Sequence, residues 1–266
     1  MSQSNETVRK TLVVAVALSI VFSVIVSGAA VTLRPMQDEN KALSQRSNMM
    51  AAAGLLPMDA SNDKVSEAFE KFDVLLVEMG TGEVVDPETV NSESATAYDQ
   101  RSATRDPELS RGLDKDPAGI NRLVKYGKIF VLREEGQLKR IVLPIHGYGL
   151  WSTMYGYLAL EGDSNSVAGV RFYEHAETPG LGGEIENPDW VAKWKGKKIY
   201  DEGARPEPNF SLVKGGVGPE TANREHKVDA LSGATLTSRG VESTVNFWMG
   251  ERAYGPFLKK LKKRES

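Results

Sequence analysis

Residues 11–33 (TLVVAVALSIVFSVIVSGAAVTL) carry no charged side chain. At 1.5 Å per residue, a helix over this run is long enough to cross a hydrocarbon core of roughly 30 Å. Its polar side chains, Thr11, Ser19, Ser23, Ser27 and Thr32, can bond back to carbonyls of their own helix. A cleavable signal peptide also starts with an apolar run, and Gly28-Ala29-Ala30 has the small residues of a cleavage site. The run exceeds the roughly 7–15 residues of a signal core, so we read an uncleaved anchor. Arg9 and Lys10 before the run nearly balance Arg34, Lys41 and Arg46 after it, so charge counting does not fix the orientation. A short leading tail with the bulk of the chain after the span suits a signal anchor, with the large part outside the cytoplasm. No ionisable group lies in the span, so this helix alone offers no ion pathway. It is a passive anchor or one wall of a larger complex.

The rest of the chain excludes several functions. Lys and Arg total 33 against 36 Asp and Glu, a net charge of -3, which gives no basic bias for nucleic acid. Cysteine is absent, which removes disulfides, thiolate nucleophiles, Cys-held zinc and protein-held iron–sulfur clusters. His146, His175 and His226 show no metal-binding spacing. A content of 40% hydrophobic and 26% charged residues predicts a folded domain.

Residues 37–56 read as a helix leaving the membrane, and residues 63–72 as a short helix with Val65, Ala68, Phe69 and Phe72 on one face. Residues 80–127 read as an irregular, insertion-like segment, polar and rich in Pro over 80–116. Residues 128–133 and 140–145 are apolar runs joined across a Gly-containing link, a hairpin. Residues 155–160 and 167–173 continue the β pattern, the latter with Ala168, Val170 and Phe172 on one face. Residues 190–194 suit a short helix, and 210–213 and 228–231 are brief strands. Val241, Val245, Trp248 and Met249 form a helical stripe, repeated by Tyr254, Phe257, Leu258 and Leu261. Lys259, Lys260, Lys262, Lys263 and Arg264 suit the negative end of that last helix and a solvated face. The order of elements predicts an α+β fold with a mainly antiparallel sheet and C-terminal helices.

Three stretches could carry chemistry. Neither His146-Gly147-Tyr148-Gly149 nor Gly215-Gly216-Val217-Gly218 completes a dinucleotide or phosphate-loop fingerprint. Residues 229–238 (DALSGATLTS) put four hydroxyls at the start of a helix. Free N–H groups and the helix dipole suit a phosphate there, and an ordinary Ser/Thr cap meets the same pattern. Residues 174–183 (EHAETPGLGG) form a loop that exposes backbone N–H groups and can lie against a flat ligand, or simply make a tight connection. His175 and Glu177, two apart in an extended segment, could pair as acid and base. Residues 146–152 (HGYGLWS) could present Trp151 or Tyr148 to a ring system, or form a core corner around a buried Trp.

DALSGAT matches the D-x-x-S/T-G-A-T signature of proteins that carry FMN on a Thr hydroxyl. With HGYGLWSTMYGYLAL, HAETPGLGGEI and the N-terminal span, the chain resembles the C-subunit family of sodium-translocating NADH:quinone oxidoreductases. The G subunit of a related electron-transport complex shares SGAT and ETPGLG but is typically shorter. A membrane-anchored binding module without covalent flavin is the alternative of another class.

The resemblance implies an FMN-binding domain over residues 36–266, on the periplasmic side of the cell inner membrane. Residues 1–35 would be a short cytoplasmic tail and anchor. It implies FMN joined by a phosphodiester to Thr235, with Asp229, Ser232, Gly233, Ala234 and Thr237 near the phosphate. Thr178, Leu181, Gly182 and Trp151 would lie against the isoalloxazine. A separate flavin transferase would attach the flavin from FAD. Electrons would pass from an iron–sulfur centre in membrane subunits to this flavin, then to a second covalent FMN on another of six subunits. The complex would couple NADH oxidation and quinone reduction to sodium export. This chain would be one part of that translocase, with no complete active site of its own.

Overall fold

The computed structural model describes residues 8–201 and 207–265. The first residues of the expected tail, 1–7, lie outside them, as does the side chain of Arg264. The chain divides into two compact units, Met1–Gln45 and Arg46–Ser266.

The first unit is one helix. α1 (Val8–Ala52) contains the uncharged run and is long and apolar enough to cross a membrane. Its apolar side chains face outward all round: Phe22, Val24 and Ile25 are all exposed. Ser19 donates to the Ala15 carbonyl and Thr32 to the Gly28 carbonyl, both at 2.8 Å, so these hydroxyls are satisfied within the helix. The helix expected from residue 37 is a continuation of this one. Pro35 lies inside it, where it removes one hydrogen bond.

The last residues of α1 belong to the second unit, and the helix stops there in a glycine cap. Gly54 takes φ +68. Its N–H bonds the Ala51 carbonyl, and the Leu55 N–H bonds the Met50 carbonyl. This 6→1 and 5→2 pairing ends the helix just before Pro57.

The second unit is built on a six-stranded sheet in the order β2-β1-β5-β6-β7-β8, with every neighbour antiparallel. After α2 (Asn62–Phe69) comes β1 (Phe72–Glu78), which the sequence pattern hid. Phe72 extends the helical stripe by spacing, yet it pairs with Leu132 as the first residue of a strand. β2 (Val84–Val85) closes the edge. Residues 87–124 carry short elements: α3 (Gln100–Ala103), and β3 (Ser110–Gly112) paired with β4 (Arg122–Val124). Asp99 caps α3 by accepting from the amides of Arg101 and Ser102. The Arg101 guanidinium then grips both oxygens of Glu174 and lies 3.8 Å from the Tyr155 ring centre.

β5 (Tyr126–Glu134) and β6 (Gln137–Tyr148) form the expected hairpin, with longer strands. Glu135 and Gly136, both at positive φ, make its two-residue turn. β7 (Thr153–Glu161) and β8 (Val167–Glu174) complete the sheet. The expected single face for Ala168, Val170 and Phe172 is corrected. The register slips between Ala159 and Leu160, so Ala168 joins the opposite side from Val170 and Phe172.

One side of the sheet packs Phe72, Phe130, Val142 and Ala159 against Met49, Met50 and Ala52 from the end of α1. The other packs Ile141, Leu143, Leu158 and Phe172 against the C-terminal helices. Beyond β8 lie α4 (Pro188–Ala192), capped by Asn187, and β9 (Ser211–Val213). β9 pairs in parallel with β10 (Lys227–Asp229). α5 (Thr235–Met249) and α6 (Gly255–Glu265) end the chain. The α+β class, with its mainly antiparallel sheet and C-terminal helices, is as expected. The stripe Val241, Val245, Trp248 and Met249 is fully buried.

Candidate functional site

β10 ends at Asp229, and α5 begins at Thr235 after five intervening residues. Ala234 stands at the helix cap and has no side-chain acceptor to offer. Ser238 turns back: its hydroxyl donates to the Ala234 carbonyl and accepts from the Leu231 amide. Among the described residues, the amides of Thr235, Leu236 and Thr237 have no protein acceptor. They are the free donors of a helix start, with the positive end of the dipole behind them. The Thr235 side chain is exposed beside them, while Thr237 and Ser238 are buried.

Thr235 opens on a cleft of about 900 Å³ that Ser232, Gly233 and Asp229 also line. Lys193, Lys214 and Arg239 bring positive charge to the same cleft. Asp229 organises its wall. One carboxylate oxygen accepts from Lys193 Nζ at 2.5 Å, and the other from the Val217 amide at 2.6 Å. Its carbonyl accepts from the Trp190 indole at 2.8 Å. The Lys193 ammonium, aided by the Val217 amide and against the effect of burial, holds the Asp229 carboxyl below the usual range. Gly215 and Gly216, both near φ +90, let the chain turn close past Asp229. Asp229→Ala strips partners from a lysine and an amide. It is expected to lower stability by about 1–3 kcal/mol in urea unfolding. Lys193→Ala, which leaves Asp229 on Val217, is expected to cost under about 1 kcal/mol.

The loop after β8 and the turn after β6 reach the same helix end from the other side. Thr178, Pro179 and Gly180 are exposed, and Leu181 is 45% exposed. A side chain at Gly233 would meet Leu181 at 3.0 Å. Gly182 is buried, and a Cβ there would meet the Thr237 hydroxyl at 2.6 Å. Trp151 is 63% exposed, so it is not the centre of a core corner.

The expected His175–Glu177 acid–base pair does not form between side chains. His175 Nδ1 accepts from the Glu177 amide, and its Nε2 lies 3.0 Å from Glu186. The Glu177 carboxylate turns inward instead. It is buried and accepts from the amides of Leu150, Trp151 and Ser152. The Thr237 hydroxyl completes the set at 2.6 Å. Burial opposes the charge, but the Thr237 hydroxyl and these amides prevail and hold the carboxyl below the usual range. Thr237 therefore brings only its backbone N–H to the helix start. Sequence reasoning missed this role for Glu177, and it missed Lys193, Lys214 and Arg239. The adjacent Gly215 and Gly216 were the available signal for the cleft wall.

Known proteins resemble this chain in sequence and fold. A family model described as FMN-binding domain matches residues 149–250, which include the turn, the loop and all of α5. The C subunit of the Na(+)-translocating NADH-quinone reductase of Vibrio parahaemolyticus is 43% identical over 265 residues, 98% of each chain. The Pseudomonas aeruginosa protein of the same name is 41% identical over 266 residues, 99% of each. The crystal structure of Shewanella oneidensis NqrC superposes with a TM-score of 0.75 at 35% identity, covering 85% of this chain and 99% of that one. Sequence agrees along nearly the whole length and fold over 85% of it, and the chain belongs to the C-subunit family of Na(+)-translocating NADH-quinone reductases.

Proposed function

We propose that this chain is an electron-carrying subunit of a sodium-translocating NADH:quinone reductase, and that its FMN is attached by a phosphodiester to Thr235. One observation carries the attachment. Of the hydroxyls in the first turn of α5, those of Thr237 and Ser238 are buried and engaged, and that of Thr235 is exposed beside three free amides. The donor set suits a phosphate ester: amides at a helix start, with Arg239, Lys193 and Lys214 along the cleft. The flavin supplies the redox chemistry; the protein supplies position and electrostatics.

Each part of the chain then has a task. The amides of Thr235, Leu236 and Thr237, which have no protein acceptor, would hold the phosphate. The exposed side chains of Trp151 and Leu181, with the loop from Thr178 to Gly182, offer apolar surface to the isoalloxazine. Asp229 keeps the cleft wall closed. Maturation makes Thr235 Oγ the nucleophile toward the flavin-side phosphorus of FAD. The new Oγ–P bond replaces the P–O bond to AMP, AMP leaves, and the hydroxyl proton passes to solvent. A separate flavin transferase performs this step.

The anchor reading extends to the rest of the chain. Residues 1–35 make the tail and span, and residues 36–266 the flavin domain on the periplasmic side, with 80–127 as its insertion-like segment. The partners are the other members of a complex of six subunits, among them a second covalent-FMN protein and membrane proteins that hold an iron–sulfur centre. Near-complete coverage of C-subunit relatives in both directions favours this reading over the shorter G subunit.

The test is a denaturing gel of the full chain made with a flavin transferase, read by flavin fluorescence and intact mass. Wild type is expected to fluoresce and to carry the mass of one FMN less water. Thr235→Val is expected to be dark and unmodified. A dark wild-type band beside an active transferase, or a fluorescent Thr235→Val band, overturns the assignment. The first outcome leaves a binding module for an unmodified phosphorylated ligand.

A further inference from the structure

The Glu177 carboxylate lies where three segments meet. Three successive amides, those of Leu150, Trp151 and Ser152, point at it from the turn between β6 and β7. Thr237, in the first turn of α5, donates to its other oxygen. Its own backbone belongs to the loop that carries Thr178 and Leu181. The approach is close throughout. A Cβ at Gly149 would fall 2.5 Å from Glu177 Oε1, and one at Gly182 would fall 2.8 Å from Oε2. Ser152 adds a second tie, since its hydroxyl accepts from the Ala176 amide at 2.7 Å.

Two exposed side chains flank this knot: Trp151 on the turn, and Thr235 two residues before Thr237. We propose that Glu177 is a positioning residue of the flavin site: its buried carboxylate fixes the Trp151 turn against the first turn of α5. The orientation of Trp151 toward the isoalloxazine is thereby set before any flavin arrives. This inference rests on the FMN reading above and adds to it. Glu177 touches neither the phosphate attachment nor the ring; it acts through the two segments that do.

Length matters more than charge in this arrangement. A Gln at 177 keeps an oxygen for the amides and offers its N–H to the Thr237 oxygen. An Asp is one methylene too short to serve both sides, and an Ala serves neither. The experiment uses the full chain in detergent, matured with a flavin transferase. The readouts are native-state flavin fluorescence and visible circular dichroism. A stacked indole quenches flavin emission, so release of the Trp151 turn brightens it.

For Glu177→Ala and Glu177→Asp, native fluorescence is expected to rise severalfold and the visible dichroic bands to weaken. Glu177→Gln is expected to stay near wild type. Thr237→Val, which loses one donor at nearly constant volume, is expected to show a smaller rise, and Thr237→Ser none. Fluorescence after denaturation is expected to be equal in all, because the covalent link is untouched. A folded Glu177→Ala protein with wild-type native signals overturns the proposal, as does Glu177→Gln behaving like Glu177→Ala. If the Glu177 variants do not fold, Thr237→Val decides alone, and wild-type signals there overturn it. Absence of covalent flavin from wild type on the same gel is a different result, and it strikes the FMN reading instead.

Discussion

Trp248→Ala is expected to lower the unfolding free energy by about 3–5 kcal/mol, the range for deleting a fully buried Trp. Trp248 is completely buried in the stripe by which α5 lies on the sheet. Its indole N–H donates to the His146 carbonyl of β6 at 2.6 Å. Its ring is 5.0 Å from that of His146 and 5.3 Å from that of Tyr254. Removal therefore leaves a cavity between helix and strand and deletes a hydrogen bond at once. Trp248→Phe keeps most of the volume and loses the bond, for an expected cost of about 1–3 kcal/mol. Urea unfolding followed by far-UV circular dichroism measures both. A loss below about 1 kcal/mol for Trp248→Ala contradicts the packing described for α5.

The second large effect is a loss of stability in mild acid. Burial, and then the nearby Arg101 charge, push the His146 imidazole down to about 4, against the pull of Asp116. Its unfolded value is about 6.5. Between these values the unfolded chain binds the proton and the folded chain does not. The contribution is thus complete above about pH 6.5 and is lost as pH falls toward 4, by about 3 kcal/mol in all. Below that window Glu177 and Asp229, both held beneath the usual carboxylate range, add a further loss as they protonate. His146→Phe keeps a ring stacked on Tyr155 and removes the titration. Its stability is expected to be flatter between pH 6.5 and 4. Parallel curves for the two proteins would exclude His146 as the source.

The parts of this fold that the sequence made legible are those with one dominant signal. The apolar run, the hairpin and the two terminal helices each carry a long, unconflicted pattern. β1 was hidden because four of its apolar residues, Val74, Leu75, Leu76 and Val77, run together rather than alternate, and because Phe72 also fits a helical stripe. Ala168 was assigned to the wrong face because a register slip leaves no mark in composition. The candidate site divides the same way. Thr235 stood out through its local motif. The role of Glu177 did not, because its partners lie 26 and 60 residues away and include main-chain amides, which every residue but proline possesses. A pattern search sees side chains in sequence order. It does not see which backbone donors a carboxylate will meet.

That long reach has a kinetic side. The hairpin of β5 and β6 closes over a two-residue turn and needs little chain entropy to form. The knot at Glu177 closes a 60-residue separation to Thr237, and α5 is nearly the last element to be synthesised. Contacts of such separation form slowly and late. The amides of Leu150, Trp151 and Ser152 are therefore expected to gain protection from hydrogen exchange after those of the β5–β6 hairpin, as read by pulse labelling during refolding. The Glu177 carboxylate and its three amides thus wait for a helix near the chain's end to supply the last donor of the knot.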